Sequence, residues 1–362
     1  MHPLTGIIKN YPWGSRTGIA ALRGLPTPSA EPEAELWLGD HPAGSAVLAD
    51  GGRTLAEHIA DAGPRVLGPD TARRFGARLP YLLKVIAVDA PLSLQVHPSA
   101  RQAVEGHRRG VYGDPLPKPE LVCALTPFTA LAGFRPAAES AALFGALDTP
   151  AARLVARLLG AGEERAALRA LLHAPTTFRE ALDIAESLDG PDYRLVGELR
   201  ARYPDDPACL APLFLRRHDL APGEALFLDA GVLHCYLSGL AVEVMAGSDN
   251  VVRAGLTGKP VDVPELLRVL DPAATPTPVR PDPDGSYPAP CPYFRLSRLE
   301  LDGVRSLAPG VPHIALCVEG RILPSPGPAL GPGAGLFVGA DEPSPAITGH
   351  GVVFLVSPGD GG

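Results

Sequence analysis

Short apolar runs that end in proline or glycine fill both ends of this chain, and they constrain its fold more than any other feature. Tyr81–Val88 and Leu121–Leu125 are two such runs within the first 137 residues. The same texture returns from about residue 218 onward. Apolar runs bounded by turn-forming residues are typical of strands in all-β structures. The pattern predicts a mainly β protein.

The segment from residue 138 to about 217 differs from both β zones. Alanine, leucine, arginine and glutamate dominate it, and glycine is sparse. Thr149 and Asp206 each precede a proline, as helix-capping residues do, and Thr177 with Glu180 fits a capping box. We therefore predict a helical insertion that covers one side of the first β zone and contributes no residue to a functional site.

A weak internal repeat links the two β zones. Leu220–Leu228 and Leu330–Val338 share a proline-glycine turn followed by an apolar run at the same spacing. This is expected if one hairpin of a double-sheet barrel occurs twice. Equal steps along both copies place Ser344 where the first copy has His234, so a histidine metal site is expected in the first barrel only. The predicted domains are a first barrel of residues 1–137 plus 218–275, a helical insertion of residues 138–217 and a second barrel of residues 276–362.

Charge and composition exclude several classes of function. A net charge of −8 argues against general affinity for nucleic acid, although a few local cations suffice to bind a small anion. The five cysteines are far apart and form no C-x-x-C pair, which argues against a disulfide framework. No apolar run reaches the roughly eighteen residues of a membrane span, and no signal-peptide pattern is present. We expect a cytoplasmic monomer without nucleic-acid or membrane partners.

Lysine is rare among the basic residues. Of the 32 lysines and arginines, only Lys9, Lys84, Lys118 and Lys259 are lysines, as expected under a GC-rich coding bias. A lysine that persists under such a bias often occupies a position where arginine fails. Lysine carries a compact charge and loses its proton when buried, and arginine does neither. The lysines are therefore candidate functional residues, with chance survival as the alternative for each.

Two short segments place potential ligands two residues apart. In Leu92–Pro98 the strand-like alternation directs Gln95 and His97 to one face, which is a spacing suited to gripping one metal ion. Lys118 and Glu120 share a face in the same way, behind a proline-rich approach. Taken singly, each segment also fits a plainer explanation, a structural histidine or an edge-strand ion pair.

The segment Asp229–Lys259 is the richest in polar groups. His234 and Tyr236 alternate on one predicted strand, and Glu243 lies within another that is otherwise apolar. Burying a glutamate in such a strand is costly unless the carboxylate is partnered. The residues that follow predict an assembled site rather than a solvated face, and they are Ser248, Asp249, Asn250, Arg253 and Lys259.

Together these segments resemble the type I phosphomannose isomerases, a family with the cupin fold, over nearly the whole chain. The matching segments are Tyr11–Ser15, Glu35–Gly39, Ser93–Pro98, Lys118–Glu120 and, most specifically, Gly231–Lys259. The resemblance implies a mainly β fold of two cupin-type jelly-roll barrels, one catalytic and one C-terminal, with an inserted α-helical domain.

The resemblance also implies a function. It implies a zinc-dependent aldose–ketose isomerase that interconverts mannose 6-phosphate and fructose 6-phosphate by proton transfer between C1 and C2, with one zinc per chain. The implied zinc ligands are Gln95, His97, Glu120 and His234. The candidate catalytic residues are Arg253, which would stabilise developing charge, and Lys118 and Glu243, either of which is a candidate proton carrier. The candidate substrate contacts are Ser93, Lys84 and Lys259 on the phosphate side, with Trp13, Tyr236 and Asp249.

One departure from the family concerns residue 117. Much of the family has a histidine immediately before the Lys-Pro-Glu run, and that histidine is assigned to sugar ring opening. This chain has Pro117 at that position. The role then passes to another group, to water or to spontaneous opening.

Three other functions compete with this one. A cupin oxygenase would bind iron, usually through three histidines, which Gln95 and the phosphate-side lysines do not suit. A non-catalytic cupin that binds a sugar phosphate would lose the proton carriers, which are present here. An isomerase that prefers another aldose phosphate, such as glucose 6-phosphate, differs in pocket shape alone and stays an open alternative.

Overall fold

A computed structural model describes residues 1–49, 52–325 and 327–360 of the chain. The strands are β1 His2–Thr5, β2 Ile7–Lys9, β3 Glu35–Leu38, β4 Val47–Leu48, β5 Tyr81–Val88, β6 Leu94–Val96, β7 Glu120–Ala124, β8 Phe128–Phe134, β9 Leu215–Leu220, β10 Ala225–Leu228, β11 His234–Ala246, β12 Val252–Gly255, β13 Pro278–Val279, β14 Arg295–Ser306, β15 His313–Ile322, β16 Gly335–Val338 and β17 Ala346–Ser357. The protein is mainly β, as predicted.

Helices occupy the middle of the chain and a few connections. They are α1 Gly18–Leu22, α2 Leu55–Ala62, α3 Pro64–Leu67, α4 Pro69–Phe75, α5 Ala100–Arg108, α6 Ala137–Gly145, α7 Pro150–Gly160, α8 Glu164–His173, α9 Arg179–Ser187, α10 Pro191–Arg202 and α11 Val263–Val269. Two 3-10 helices span Pro175–Phe178 and Pro207–Leu213. In the described part of the chain, no helix is both long and apolar enough to cross a bilayer.

The helical zone between β8 and β9 follows the sequence prediction closely, although its last residues, 215–217, belong to β9. Thr149 and Asp206 cap α7 and the second 3-10 helix as predicted, each accepting a backbone N–H two or three residues ahead. The predicted capping box at Thr177 is wrong. Its hydroxyl donates to the carbonyl of Ala174 inside a 3-10 turn, and α9 begins two residues later.

Five helices, α1–α4 and α11, occur where the sequence analysis expected β structure. The α2–α4 segment begins at Thr54, which forms a capping box with Glu57. Pro64 and Pro69 then open α3 and α4 at the first helical position. These start signals are legible in the sequence, but the surrounding proline and glycine outweighed them.

Antiparallel strands form two sheets. One has the order β14-β17-β15-β16-β1-β4. The other contains the path β13-β10-β7-β11-β5-β3-β2, with β6, β8, β9 and β12 joined through β11 and its neighbours. β1 and β4 pair with the C-terminal strands through β16. The predicted boundary at residue 276 is therefore too simple, because the backbone of residues 2–5 completes the C-terminal sheet.

Strand β11 joins the two faces of the larger sheet. Its first half pairs with β6 and β8, and its second half pairs with β5 and β7. The register shifts between Tyr236 and Ser238, and Gly239 follows with φ 117°. A Cβ at Gly239 would lie 2.6 Å from the carbonyl oxygen of Pro127. Glycine is required here, and the bend directs both halves of the strand toward one interior.

The repeat predicted from the sequence corresponds to two equivalent strands. β10 and β16 each follow a proline-glycine turn, at the positions where the apolar runs were noted. His234 then opens β11 as a buried residue. Ser344 lies in an exposed bend before β17. The second copy thus has no inward-facing ligand at the matching position.

The helices share one apolar core with the strands they cover. Leu94 on β6, Leu131 on β8 and Leu233 before β11 lie in the same buried cluster as Phe144 on α6 and Phe214 beside β9. A shared core means that helices and strands stabilise each other, so the helical segment is expected to unfold with the strands it covers rather than alone.

We predict that Phe144→Ala destabilises the barrel as well as the helices. Phe144 is fully buried and its ring lies 6.3 Å from that of Phe214, so truncation should lower the free energy of unfolding by about 3–5 kcal/mol. Urea unfolding followed by helical circular dichroism and by fluorescence of Trp13 and Trp37 should shift together. Leu154→Ala on the exposed face of α7 is the control. Loss of the helical signal with an unchanged tryptophan transition would contradict the shared core.

Candidate active site

Three adjacent strands bring three predicted site residues into one row. His234 on β11 pairs directly with Gln95 on β6, and Gln95 pairs with Arg253 on β12. Side chains opposite one another on neighbouring antiparallel strands lie about 5 Å apart at Cβ. The row therefore juxtaposes a histidine, an amide and a guanidinium, although 158 residues separate the first and last in sequence.

A buried cluster of metal-binding groups lies beside this row. His97, Glu120 and His234 offer ligand atoms that all fall within 4.8 Å of one another, and the side chains are no more than 2% exposed. Nε2 of His97 lies 3.4 Å from Oε1 of Glu120, and Nε2 of His234 lies 3.4 Å from Oε2. Among the described residues, this is the one such group of three or more.

The hydrogen bonds of both imidazoles leave the correct nitrogen available. Nδ1 of His97 donates to the carbonyl of Asn250 at 2.9 Å, and Nδ1 of His234 donates to that of Val232 at 2.9 Å. Each ring then presents the Nε2 lone pair inward, and neither Nε2 has a hydrogen-bond partner. Burial also lowers the pKa of His97 to about 4, which keeps that ring neutral. Neutral imidazoles fixed in this tautomer suit a divalent cation.

The Glu120 carboxylate completes the cluster in its ionised form. Burial alone would raise its pKa, but the positive charge of Lys118 lowers it well below its usual range. Nζ of Lys118 lies 2.9 Å from Oε1 of Glu120. Oε2 has no hydrogen-bond partner. An ionised, buried oxygen without a partner, facing two free imidazole nitrogens, is the donor set of a metal site.

A second buried network lies one row away on β11. The Glu243 carboxylate accepts from Nζ of Lys84 at 2.7 Å and from the hydroxyl of Tyr236 at 2.8 Å. Lys84 also lies 3.5 Å from Glu35, which accepts from the indole N–H of Trp37. Burial raises the pKa of Glu243 despite the opposing charge of Lys84. Both carboxylate oxygens of Glu243 are therefore already occupied inside the protein.

The loop before Lys118 is fixed by Asp114. Its carboxylate accepts from the hydroxyl of Ser248 at 2.9 Å and from the side-chain amide of Asn250 at 3.1 Å. Asn250 is the residue whose carbonyl orients His97. One carboxylate thus ties the loop that carries Lys118 to the turn that holds a metal-binding imidazole.

An open cleft of about 520 Å³ lies over the buried cluster. Eight of the predicted site residues line it, and they are Trp13, Lys84, Ser93, Gln95, Lys118, Asp249, Arg253 and Lys259. The predicted residues His97, Glu120, His234, Tyr236 and Glu243 lie behind this wall and are 0–2% exposed. In the described residues, no carboxylate pairs with Arg253 or Lys259, so the cleft presents two cations without counter-charges.

Comparisons with known proteins agree with this geometry. Residues 1–137 match the family model of the type I phosphomannose isomerase catalytic domain. The mannose-6-phosphate isomerase of Escherichia coli K12 is 36% identical over 97% of this chain and 98% of its own length. The human mannose-6-phosphate isomerase is 33% identical over 94% of this chain and 93% of its own. The chain belongs to the type I mannose-6-phosphate isomerase family.

Solved structures of this isomerase family share the whole fold. Phosphomannose isomerase from Salmonella typhimurium, in its apo form, superposes with a TM-score of 0.90 at 34% identity over 99% of both chains. A mannose 6-phosphate isomerase structure bound with zinc and yttrium has a TM-score of 0.91 at 34% identity, again over 99% of both chains.

The sequence analysis missed several residues of the isomerase cleft. The cleft wall also contains Tyr11, Glu35, Trp37, Tyr203 and Met245. Glu35 and Trp37 lie in Glu35–Gly39, one of the segments that match the isomerase family. Their spacing of two residues along a predicted strand was the signal available in the sequence. Tyr203 follows α10, so the helical insertion contributes a residue to the cleft wall, where the sequence analysis named none. Nothing in the local sequence of Tyr203 indicates that it reaches the cleft.

We predict that Lys84→Met destabilises the fold strongly, because it leaves the buried carboxylates of Glu243 and Glu35 without their cation. Removing one partner of a buried ion pair typically costs about 3–5 kcal/mol. The double variant Lys84→Met/Glu243→Gln should recover much of this loss in urea unfolding. Arg53→Met, which breaks the surface pair with Asp61, should change stability by less than about 1 kcal/mol. Equal losses for Lys84→Met and Arg53→Met would contradict this account of the buried pair.

Proposed function

We propose that this chain interconverts mannose 6-phosphate and fructose 6-phosphate as a zinc-dependent aldose–ketose isomerase. The observation that carries the proposal is the buried set of two free imidazole nitrogens and one free carboxylate oxygen behind a cleft with two unpaired cations. The family membership narrows the substrate to a sugar phosphate, because the relatives are mannose-6-phosphate isomerases.

His97, Glu120 and His234 would hold the zinc, with Gln95 as a fourth ligand from the paired strand. Two neutral imidazoles, one carboxylate and one amide leave the ion with a net positive charge. When bound, zinc supplies Lewis-acid polarisation of sugar oxygens. The side chains of His97, Glu120 and His234 fit such an ion, because without it their free ligand atoms remain buried with no hydrogen-bond partner.

The cations of the cleft would bind the anionic parts of the substrate. Lys259, with Ser93, is placed to hold the phosphate as a point charge and a hydroxyl. Arg253 lies beside Gln95 in the strand row, so it would stabilise the charge that develops on the enediolate oxygens. Lys84 contributes less charge to the phosphate, because Glu243 and Glu35 already share its ammonium. Trp13 and Asp249 line the same cleft and would contact the sugar.

Lys118 is the proton carrier that the geometry favours. It lines the cleft, whereas both oxygens of Glu243 are bonded to Lys84 and Tyr236 behind the wall. With its salt bridge to Glu120 relieved by a bound zinc ion, Lys118 would act as a neutral amine and remove the proton from C2 of the open-chain aldose, leaving an enediolate. The resulting ammonium would return that proton to C1, while the hydroxyl proton on O2 moves to O1, which gives the ketose. Glu243 and Tyr236 would then position Lys84 and the floor of the site.

The proposed architecture is a pair of cupin-type barrels, the first carrying the site, with the helices between β8 and β9 inserted into it. In support, β11 and its partners enclose the site, while the C-terminal sheet carries Ser344 where the first unit has His234. β1 and β4 are assigned to the second barrel. We further propose that the chain works as a cytoplasmic monomer.

We predict one zinc per chain, and its removal by a chelator should abolish isomerisation of mannose 6-phosphate. His234→Ala should lose both the metal and the activity, because it removes one of three converging donors. His350→Ala, an exposed histidine on β17, is the matched control and should keep both. Elemental analysis and a coupled assay on mannose 6-phosphate and glucose 6-phosphate measure these outcomes. Two tightly bound metals per chain, or a fully active His234→Ala enzyme, would overturn the metal assignment.

We predict that Lys118→Arg lowers turnover on the order of a hundredfold, the usual scale for a lost acid–base group. Arginine stays protonated at any working pH and therefore has no neutral form with which to accept a proton. Lys259→Arg keeps a charge in the cleft and should mainly raise the Michaelis constant. Lys9→Arg should match the unmodified enzyme. Steady-state kinetics on the three variants decides the matter, and unchanged turnover in Lys118→Arg would transfer the proton-carrier role to Glu243.

A further inference from the structure

Strand β12 and the loop that follows it carry the two unpaired cations of the cleft. Arg253 lies on β12, and Lys259 lies four residues after its end. Between them, Leu256 is a non-glycine residue in the left-handed region, with φ 53°, and it is 1% exposed. A branched side chain rarely adopts this conformation, and it persists only where surrounding contacts impose it.

The contact that imposes this conformation comes from the helical insertion. Oδ2 of Asp206 accepts the backbone N–H of Leu256 at 2.6 Å, and Oδ1 accepts that of Ala208 at 2.9 Å. The same carboxylate thus caps the second 3-10 helix and holds the loop of the catalytic barrel. A hydrogen bond to a carboxylate is stronger than one between neutral groups.

The neighbouring residue makes the fit close. Gly255 has φ 145°, and a Cβ there would lie 2.2 Å from Cβ of Ala208 and 3.1 Å from Oδ1 of Asp206. Only glycine allows the end of β12 to approach the 3-10 helix this closely. Tyr203, three residues before Asp206, lines the cleft on the same side as Thr257. The helical insertion therefore touches the cation-bearing loop at several consecutive residues.

We propose that Asp206 is a positioning residue of the active site, which fixes the Gly255–Lys259 loop so that Arg253 and Lys259 both face the cleft. The helical insertion then acts on substrate binding as well as on stability. The expected kinetic effect of Asp206 rests on the proposed isomerase function, whereas its effect on the order of the Gly255–Lys259 loop does not.

The test compares the zinc-loaded full-length Asp206→Ala and Asp206→Asn variants with Asp205→Ala. Asp205 is the adjacent exposed carboxylate, paired only with Arg179 on the surface, so its variant should behave as the unmodified protein. Asp206→Ala should raise the Michaelis constant for mannose 6-phosphate by roughly tenfold or more with a smaller change in turnover, because misplaced binding groups weaken recognition. Asp206→Asn keeps one acceptor oxygen and should recover part of this loss.

Hydrogen exchange separates loop order from general instability. In Asp206→Ala, exchange should accelerate at residues 255–259 while β5 and the C-terminal sheet stay protected. Unchanged exchange in this loop, or an unchanged Michaelis constant despite a disordered loop, would overturn the proposal. Uniform acceleration across the chain would also overturn it, by showing a purely structural role. If the unmodified protein fails to isomerise mannose 6-phosphate, the proposed function falls, and the exchange comparison alone decides whether Asp206 orders the loop.

Discussion

The burial of the Glu120 carboxylate is the constraint on which the rest of the site depends. An ionised carboxylate without compensation is expensive in a protein interior. Here Lys118 compensates Oε1, and the two oxygens lie 3.4 Å from the free Nε2 atoms of His97 and His234, respectively. Backbone carbonyls fix both rings in the tautomer that leaves those nitrogens free. The cluster therefore holds free ligand atoms that a bound cation would satisfy, and the surrounding strands hold these atoms in place.

Strand β11 connects this buried cluster to the rest of the fold. Because it crosses both faces of the larger sheet, it delivers His234 to the metal cluster and Glu243 to the buried network of Lys84. Residues nine apart on a straight strand would lie about 30 Å from each other. The bend at Gly239 permits both to serve one interior. The strand register matters as well, because a slip of one residue would turn His234 and the other inward-facing side chains of β11 outward.

How far the sequence predicted this structure depended on the range of each interaction. Alternation along single strands placed Gln95 with His97, and the helical zone was legible from caps such as Thr149. The resemblance to the isomerase family supplied four candidate ligands, and the structure brings three of them, His97, Glu120 and His234, into one cluster. Contacts between distant segments were missed. The pairing of β1 with β16 and the approach of Tyr203 to the cleft depend on tertiary packing. Tertiary packing leaves no periodic pattern in the sequence near β1 or near Tyr203.

The site sorts its charges by depth, and this order links the fold to the chemistry. The deep layer holds Glu35, Glu120 and Glu243 against the two ammonium groups of Lys84 and Lys118, which leaves one negative charge uncompensated. The outer layer holds the half-buried Arg253 and the exposed Lys259 beside Asp249, and among the described residues neither cation pairs with a carboxylate. A low-dielectric interior with excess negative charge attracts a divalent cation, and a positive outer layer attracts a phosphate. In the proposed function, a sugar phosphate entering the cleft would therefore be oriented before any bond changes, with its anionic end toward Arg253 and Lys259 and its carbonyl end toward the zinc ligands and Lys118. Reversing the charge of the outer layer would remove that orientation without unpairing the buried carboxylates, so the order of charges, in addition to the fold, would direct the substrate.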